Sequence, residues 1–186
     1  MLSVIRSLAL YQNLLAEVQD RVRIPGLGLP RAARLPILAA LQNDLERPIF
    51  YITDRGDRAY THYDELGFWN PESNLKLFPE PTPLFYEQAG WGATTRRERL
   101  LSMTLLASYH GIGSRNLRPN PLFVAPVRAA MVRTLPRRDF IKNTRALRRG
   151  QQIQPQTLVE TWVGLGYETT DTVLVPGQFS RRGGLM

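Results

Sequence analysis

Apolar positions in the first segment recur at helical spacing. Leu8, Tyr11, Leu14, Leu15 and Val18 fall three or four residues apart, which predicts one amphipathic helix over residues 2–22. Pro25-Gly26-Leu27-Gly28 ends that pattern, and Pro30 opens a second helix over 31–45, with Leu35, Leu38, Ala39 and Leu41 on its buried side. The run Ile49-Phe50-Tyr51-Ile52-Thr53 is β-branched and aromatic without alternation, and so predicts a strand covered on both faces. A polar helix over 56–66 follows, then a strand at Leu75-Lys76-Leu77-Phe78 stopped by Pro79, Pro81 and Pro83. Residues 94–109 predict a helix with Leu100, Met103, Leu106 and Ala107 on one face. Residues 122–127 predict a third buried strand, and 127–134 a short helix.

Helices alternating with short, uniformly apolar strands imply an α/β layer domain with a parallel sheet, spanning about the first 136 residues. The pattern then changes. Residues 145–153 are polar and strand-like, 155–165 predict a short helix, and 167–175 (YETTDTVLV) alternate as a half-exposed strand does. Pro176-Gly177 marks a turn into a last strand that ends on Gly183-Gly184, for which no later segment supplies a pairing partner. The expectation is a second, small α+β unit over 137–186 that is cut short.

Composition narrows the chemistry. The absence of cysteine excludes disulfides and thiolate metal sites and fits a reducing cytoplasm. His62 and His110 lie far apart, so neither a metal nor any other cofactor is expected. No apolar run reaches the ~20 residues of a membrane span, and Gln12, Asn13 and Glu17 interrupt the apolar N-terminus in a way a secretory leader would not. The net charge of +8 is uneven: residues 94–150 carry thirteen basic side chains, from Arg96 to Arg149, against only Glu98 and Asp139. That asymmetry suggests an anionic partner, either nucleic acid or an acidic protein face.

Catalysis finds little support. The Gly26-Leu27-Gly28 turn leads into a helix, where Arg31 and Arg34 are candidate phosphate contacts, but it lacks the GK[ST] ending and no strand precedes it. A turn between packed helices is the favoured reading. Glu80 and Glu87 flank a proline-rich loop with no nucleophile beside them, and His110 fits the end of a helix.

The specific motifs are of another kind. They are Leu77-Phe78-Pro79-Glu80, Tyr86-Glu87, Arg99-Leu100, VAPVRAAM at 124–131, Leu135-Pro136, Gly166-Tyr167 and GQFSRRGG at 177–184. In this order and spacing they resemble the N-terminal, UvrB-like region of bacterial transcription-repair coupling factors (the Mfd family). The resemblance implies a RecA-like domain 1a with a degenerate nucleotide site over 1–136, then the beginning of a UvrB-like domain 2 over 137–186. It further implies a non-catalytic module that docks UvrA. The family's polymerase-interaction and ATP-driven DNA-translocase parts are missing here, so RNA polymerase and DNA would be engaged elsewhere. The family's FS-x-RGG arginine matches Arg182, with Arg181 its neighbour; a guanidinium can fork onto a partner carboxylate. The alternative is a basic nucleic-acid-binding module using the region from Arg96 to Arg149.

Overall fold

The computed structural model describes residues 2–21, 23–81, 90–109, 120–145, 147 and 149–183. They fall into two compact units, Met1–Thr134 and Leu135–Met186.

The first unit opens with α1 (Leu2–Arg6) and α2 (Ala9–Gln19). These are two helices where the periodicity predicts one. Leu8 takes an extended conformation between them and is half exposed instead of joining the buried face. Tyr11 and Leu14 do point inward. They pack on α3 (Arg31–Asp44) through Ala40 and Leu41. Asp44 ties the three helices together, receiving the Arg6 guanidinium at 2.6 Å and the Tyr11 hydroxyl at 2.6 Å. Burial, reinforced by the bond to Asp44, raises the Tyr11 phenol well above its usual range.

The sheet follows: β1 (Ile49–Thr53), α4 (Gly56–Trp69), β2 (Leu75–Leu77), α5 (Ala93–Tyr109), β3 (Leu122–Pro126) and α6 (Val127–Met131). All three strands are parallel, in the order β1-β3-β2. The α/β class with a parallel sheet is as the element alternation implies. The middle strand β3 is buried at every residue, which explains its unbroken LFVAP. Leu122 and Val124 meet Leu75 and Leu77 of β2 and, above them, Leu35 and Ala39 of α3 and Leu66 of α4. The expectation of two covered faces fails for β1. Phe50 and Ile52 are 45% and 53% exposed, because β1 is an edge strand and α3 and α4 cover only its other face.

The face predicted for α5 is also rotated. Leu100 is half exposed, while Arg99 and Ser102 are buried. The Arg99 guanidinium lies 4.0 Å from the Phe78 ring centre and 5.0 Å from that of Trp91. Its Nη1 donates to the carbonyls of Pro79 at 2.9 Å and Ala129 at 3.3 Å. Ser102 donates to the carbonyl of Leu77 at 3.0 Å. A hydropathy pattern ranks arginine as polar, yet here its aromatic sandwich makes it a core residue.

The second unit contains α7 (Arg137–Asn143), α8 (Pro155–Gly164), β4 (Glu168–Thr169) and β5 (Gln178–Phe179). Residues 149–153, expected to be strand-like, form none. The strand after Pro176-Gly177 has its partner upstream: β5 pairs in parallel with β4, with Glu168 opposite Gln178 and Thr169 opposite Phe179. Gly177, at φ 96°, supplies the left-handed residue of the turn. Trp162 of α8 joins the two parts, stacking on Tyr167 at 6.0 Å and meeting Phe179 edge-on at 5.2 Å.

Candidate functional site

In an open α/β sheet, ligands collect at the carboxyl ends of the strands. The strand-to-helix turn at that end of the first unit is Asp54-Arg55, leading from β1 into α4 at Gly56. The Gly26 turn, by contrast, follows no strand and simply leads into α3. The start of α4 is lined by acids. Asp57 lies in its first turn, and Arg55 and Arg58 are paired with Asp57 and Asp54 at 2.8 Å. Glu80, arriving from β2, places Oε1 over Gly56 so closely that a side-chain carbon there would meet it at 2.8 Å. The Glu80 Oε2 is 3.6 Å from Arg128 Nε at the start of α6. The position where a helix N-terminus attracts an anion therefore already holds a carboxylate of the chain itself.

Arg31 and Arg34 project from the first turns of α3 into a cleft of about 770 Å³, beside β1 and α4. Arg58, His62 and Glu65 of α4 and Tyr51 and Thr53 of β1 complete its walls. Arg34 Nε makes a long contact of 3.4 Å with the carbonyl of Leu29. The Tyr51 hydroxyl lies 2.8 Å from His62 Nδ1, a contact that a neutral imidazole accepts when its proton sits on Nε2. Partial burial holds the His62 ring below its usual pKa and raises the Tyr51 phenol, so both favour their neutral forms. The cleft thus joins the two arginines singled out in the sequence with groups that were not. The signal for the latter was the spacing of Arg58, His62 and Glu65 along one face of α4.

Arg181 and Arg182 lie just past β5 in the second unit, both exposed. Arg182 Nη2 reaches the carbonyl of Asp171 at 3.3 Å, and Ser180 donates to the same carbonyl at 3.1 Å. Arg181 Nη1 bonds Gln156 Oε1 of α8 at 3.2 Å, and its Nε reaches the Gly183 carbonyl at 3.4 Å. Gly183 is left-handed, at φ 62°. Among the described residues, Arg182 makes only the weak contact with the Asp171 carbonyl, and its other donors suit another molecule. Phe179, at the end of β5, is buried.

Of the described arginines in the Arg-rich stretch, Arg99 is internal and Arg128 faces Glu80, and the stretch runs from the first unit into the second. Arg115, Arg118 and Arg148 lie outside the described residues, as do Glu87, His110 and Gly184. Among the described residues, no cluster of His, Cys, Asp or Glu could hold a metal ion, and no helix is long and apolar enough to cross a membrane.

No family model matches the chain. It is 32% identical over 160 residues to the transcription-repair-coupling factor of Bacillus subtilis (strain 168), a match that takes in 86% of the chain and 13% of that relative. The match runs across both compact units, so the chain is homologous to a region of the transcription-repair coupling factor (Mfd) family and spans only a small part of that relative's length.

Proposed function

We propose that this chain is the part of a transcription-repair coupling factor that docks UvrA, linking a stalled RNA polymerase to nucleotide excision repair in the cytoplasm. The similarity across 86% of the chain carries the reading. In it, the first unit is a RecA-like layer akin to UvrB domain 1a, and the second is the beginning of a UvrB-like domain 2. The acids around the start of α4, with Glu80 over Gly56, support a nucleotide site that has been lost. The chain is then a non-catalytic module; ATP hydrolysis, DNA translocation and polymerase contact belong to other parts of the family. Arg182 is the main anchor and Arg181 its neighbour, because exposed guanidinium groups with spare donors suit a carboxylate on the partner.

Titration of UvrA against the chain tests this. Saturable binding is expected, and Arg182→Glu should weaken it by about tenfold or more, the usual effect of reversing an anchoring charge. Equal affinity for the two proteins would remove Arg182 from the interface. Equilibrium dialysis with ATP and magnesium should show no binding; uptake would contradict the lost site.

A further inference from the structure

β1 is the outer strand of its sheet, and its free side has an unusual character. In its pairing with β3, Ile49 donates its N–H to the carbonyl of Pro121 at 3.0 Å, with Ile49 opposite Leu122. The alternation of a strand then turns the backbone groups of Ile49, Tyr51 and Thr53 toward β3 and those of Phe50 and Ile52 outward. Among the described residues, no strand pairs with that outer side. The residues that offer free N–H and C=O groups are also the ones whose apolar side chains are half exposed. Phe50 is held in place by stacking on Phe123 at 4.7 Å. Edges of soluble sheets are commonly blunted by lysine, proline, a bulge or a covering element. The IFYIT strand has no lysine or proline.

The two faces beside this edge differ. On one lie Phe50 and Ile52. On the other is the cleft between α3 and α4, whose charged groups are Arg31, Arg34 and Arg58 against Asp54 and Glu65. Arg58 is taken up by Asp54 at 2.8 and 2.9 Å. Arg31 and Arg34 give that wall a surplus of positive charge.

We propose that the outer edge of β1 is a docking site for an extended peptide segment whose side chains alternate between apolar and acidic. Added as a further strand, the segment bonds its backbone to Phe50 and Ile52. Its apolar side chains cover those two residues, and its carboxylates enter the cleft toward Arg31 and Arg34. Main-chain bonding supplies affinity, and the alternation supplies selectivity, as in other cases of strand addition. β1 belongs to the first unit, whereas the arginines assigned to UvrA belong to the second.

The probe is a peptide of alternating valine and glutamate, about eight residues long, the span of an ordinary strand. It is titrated against the whole chain by calorimetry. Saturable binding is expected, and binding should fall by about tenfold or more when lysine replaces glutamate or when the edge-facing amides are N-methylated. Ile52→Pro removes an outward N–H together with the isoleucine side chain, a change that edge strands tolerate, and Ile52→Lys blunts the edge without touching the backbone. Both should lose the peptide while circular dichroism matches the parent chain. Arg182→Glu should bind the peptide unchanged. No binding of the glutamate peptide, equal binding of the N-methylated form, or retention by both Ile52 variants would overturn the proposal. So would self-association of the chain that both Ile52 variants abolish, because the edge would then belong to a second copy.

Discussion

In the first unit the middle strand β3 is sealed along its whole length, with neighbours on both edges and helices above it. In the second, the two-residue strand β5 buries only Phe179, and Phe140 and Leu158 are the other buried apolar residues described there. The first unit fixes its site residues through a core. The second holds Arg181 and Arg182 through local bonds to Asp171, Gln156 and Gly183. A unit of that size with so shallow a core is marginal by itself. Side chains presented from such a frame can adjust to a partner, whereas those around the α3–α4 cleft are preset.

The largest expected difference lies in amide exchange. The N–H groups of Phe123 to Ala125 should exchange only on global opening of the first unit. Those of Glu168 and Thr170, bonded to Gly177 and Phe179 at 2.9 Å, should exchange on local opening. A gap of ~4 kcal/mol between the two kinds of opening corresponds to about a thousandfold in rate. Similar protection in both places, read by NMR, would break the contrast.

Next comes Arg99. Replacing it with alanine removes the side chain between Phe78 and Trp91 and strands the carbonyls of Pro79 and Ala129. The expected loss is about 3 kcal/mol or more in urea unfolding of the first unit. Arg99→Met, which keeps the stem, should recover part of it. Phe179→Ala should act elsewhere, removing the edge contact to Trp162 and shifting the fluorescence transition of that tryptophan. If either variant moved both transitions equally, the units would not unfold separately.

Much of the first unit was legible because its elements are local patterns. IFYIT and LFVAP read as strands from composition, and the periodicity of α3 places Leu35, Ala39 and Leu41 inward. What was illegible depended on partners distant in sequence. The exposure of Phe50 and Ile52 follows from the position of β1 in the strand order, not from its composition. The burial of Arg99 needs Phe78 and Trp91 to be brought to it. Pairing of β5 with β4 rests on a turn and an alignment that alternation alone does not set. The α7 segment, RRDFIKN, hides a helix because its one buried residue, Phe140, gives no period. At the sites, Arg31 and Arg34 were visible as cations after a turn, but their meeting with Tyr51 and His62 required the fold.

A smaller effect should come from His62. Partial burial depresses its folded pKa below the ordinary 6.5. The unfolded chain therefore binds the proton more readily, and the stability tied to the neutral ring is present above pH 6.5. It is lost as the pH falls through 6.5 toward the folded value. The second unit holds no histidine, so the transition reported by Trp162 should lack this component. His62→Gln should flatten the slope of the first unit alone between pH 7 and 5, as measured by urea midpoints.

The smallest effect is expected at a leucine of the second unit, set against a buried one of the first. Leu122 in β3 is fully buried, and Leu122→Ala should cost about 3–5 kcal/mol through lost packing and a cavity. Leu174, in the second unit, is 80% exposed, and the loop around it is held by backbone: the N–H groups of Leu174 and Val175 donate to Gln178 Oε1 at 3.1 and 3.3 Å. Leu174→Ser leaves those bonds and adds a hydroxyl to water, so the Trp162 transition should move by no more than about 0.5 kcal/mol. A loss near 2 kcal/mol would mean that Leu174 is packed in solution and that the second unit has a deeper core than its three described buried residues supply.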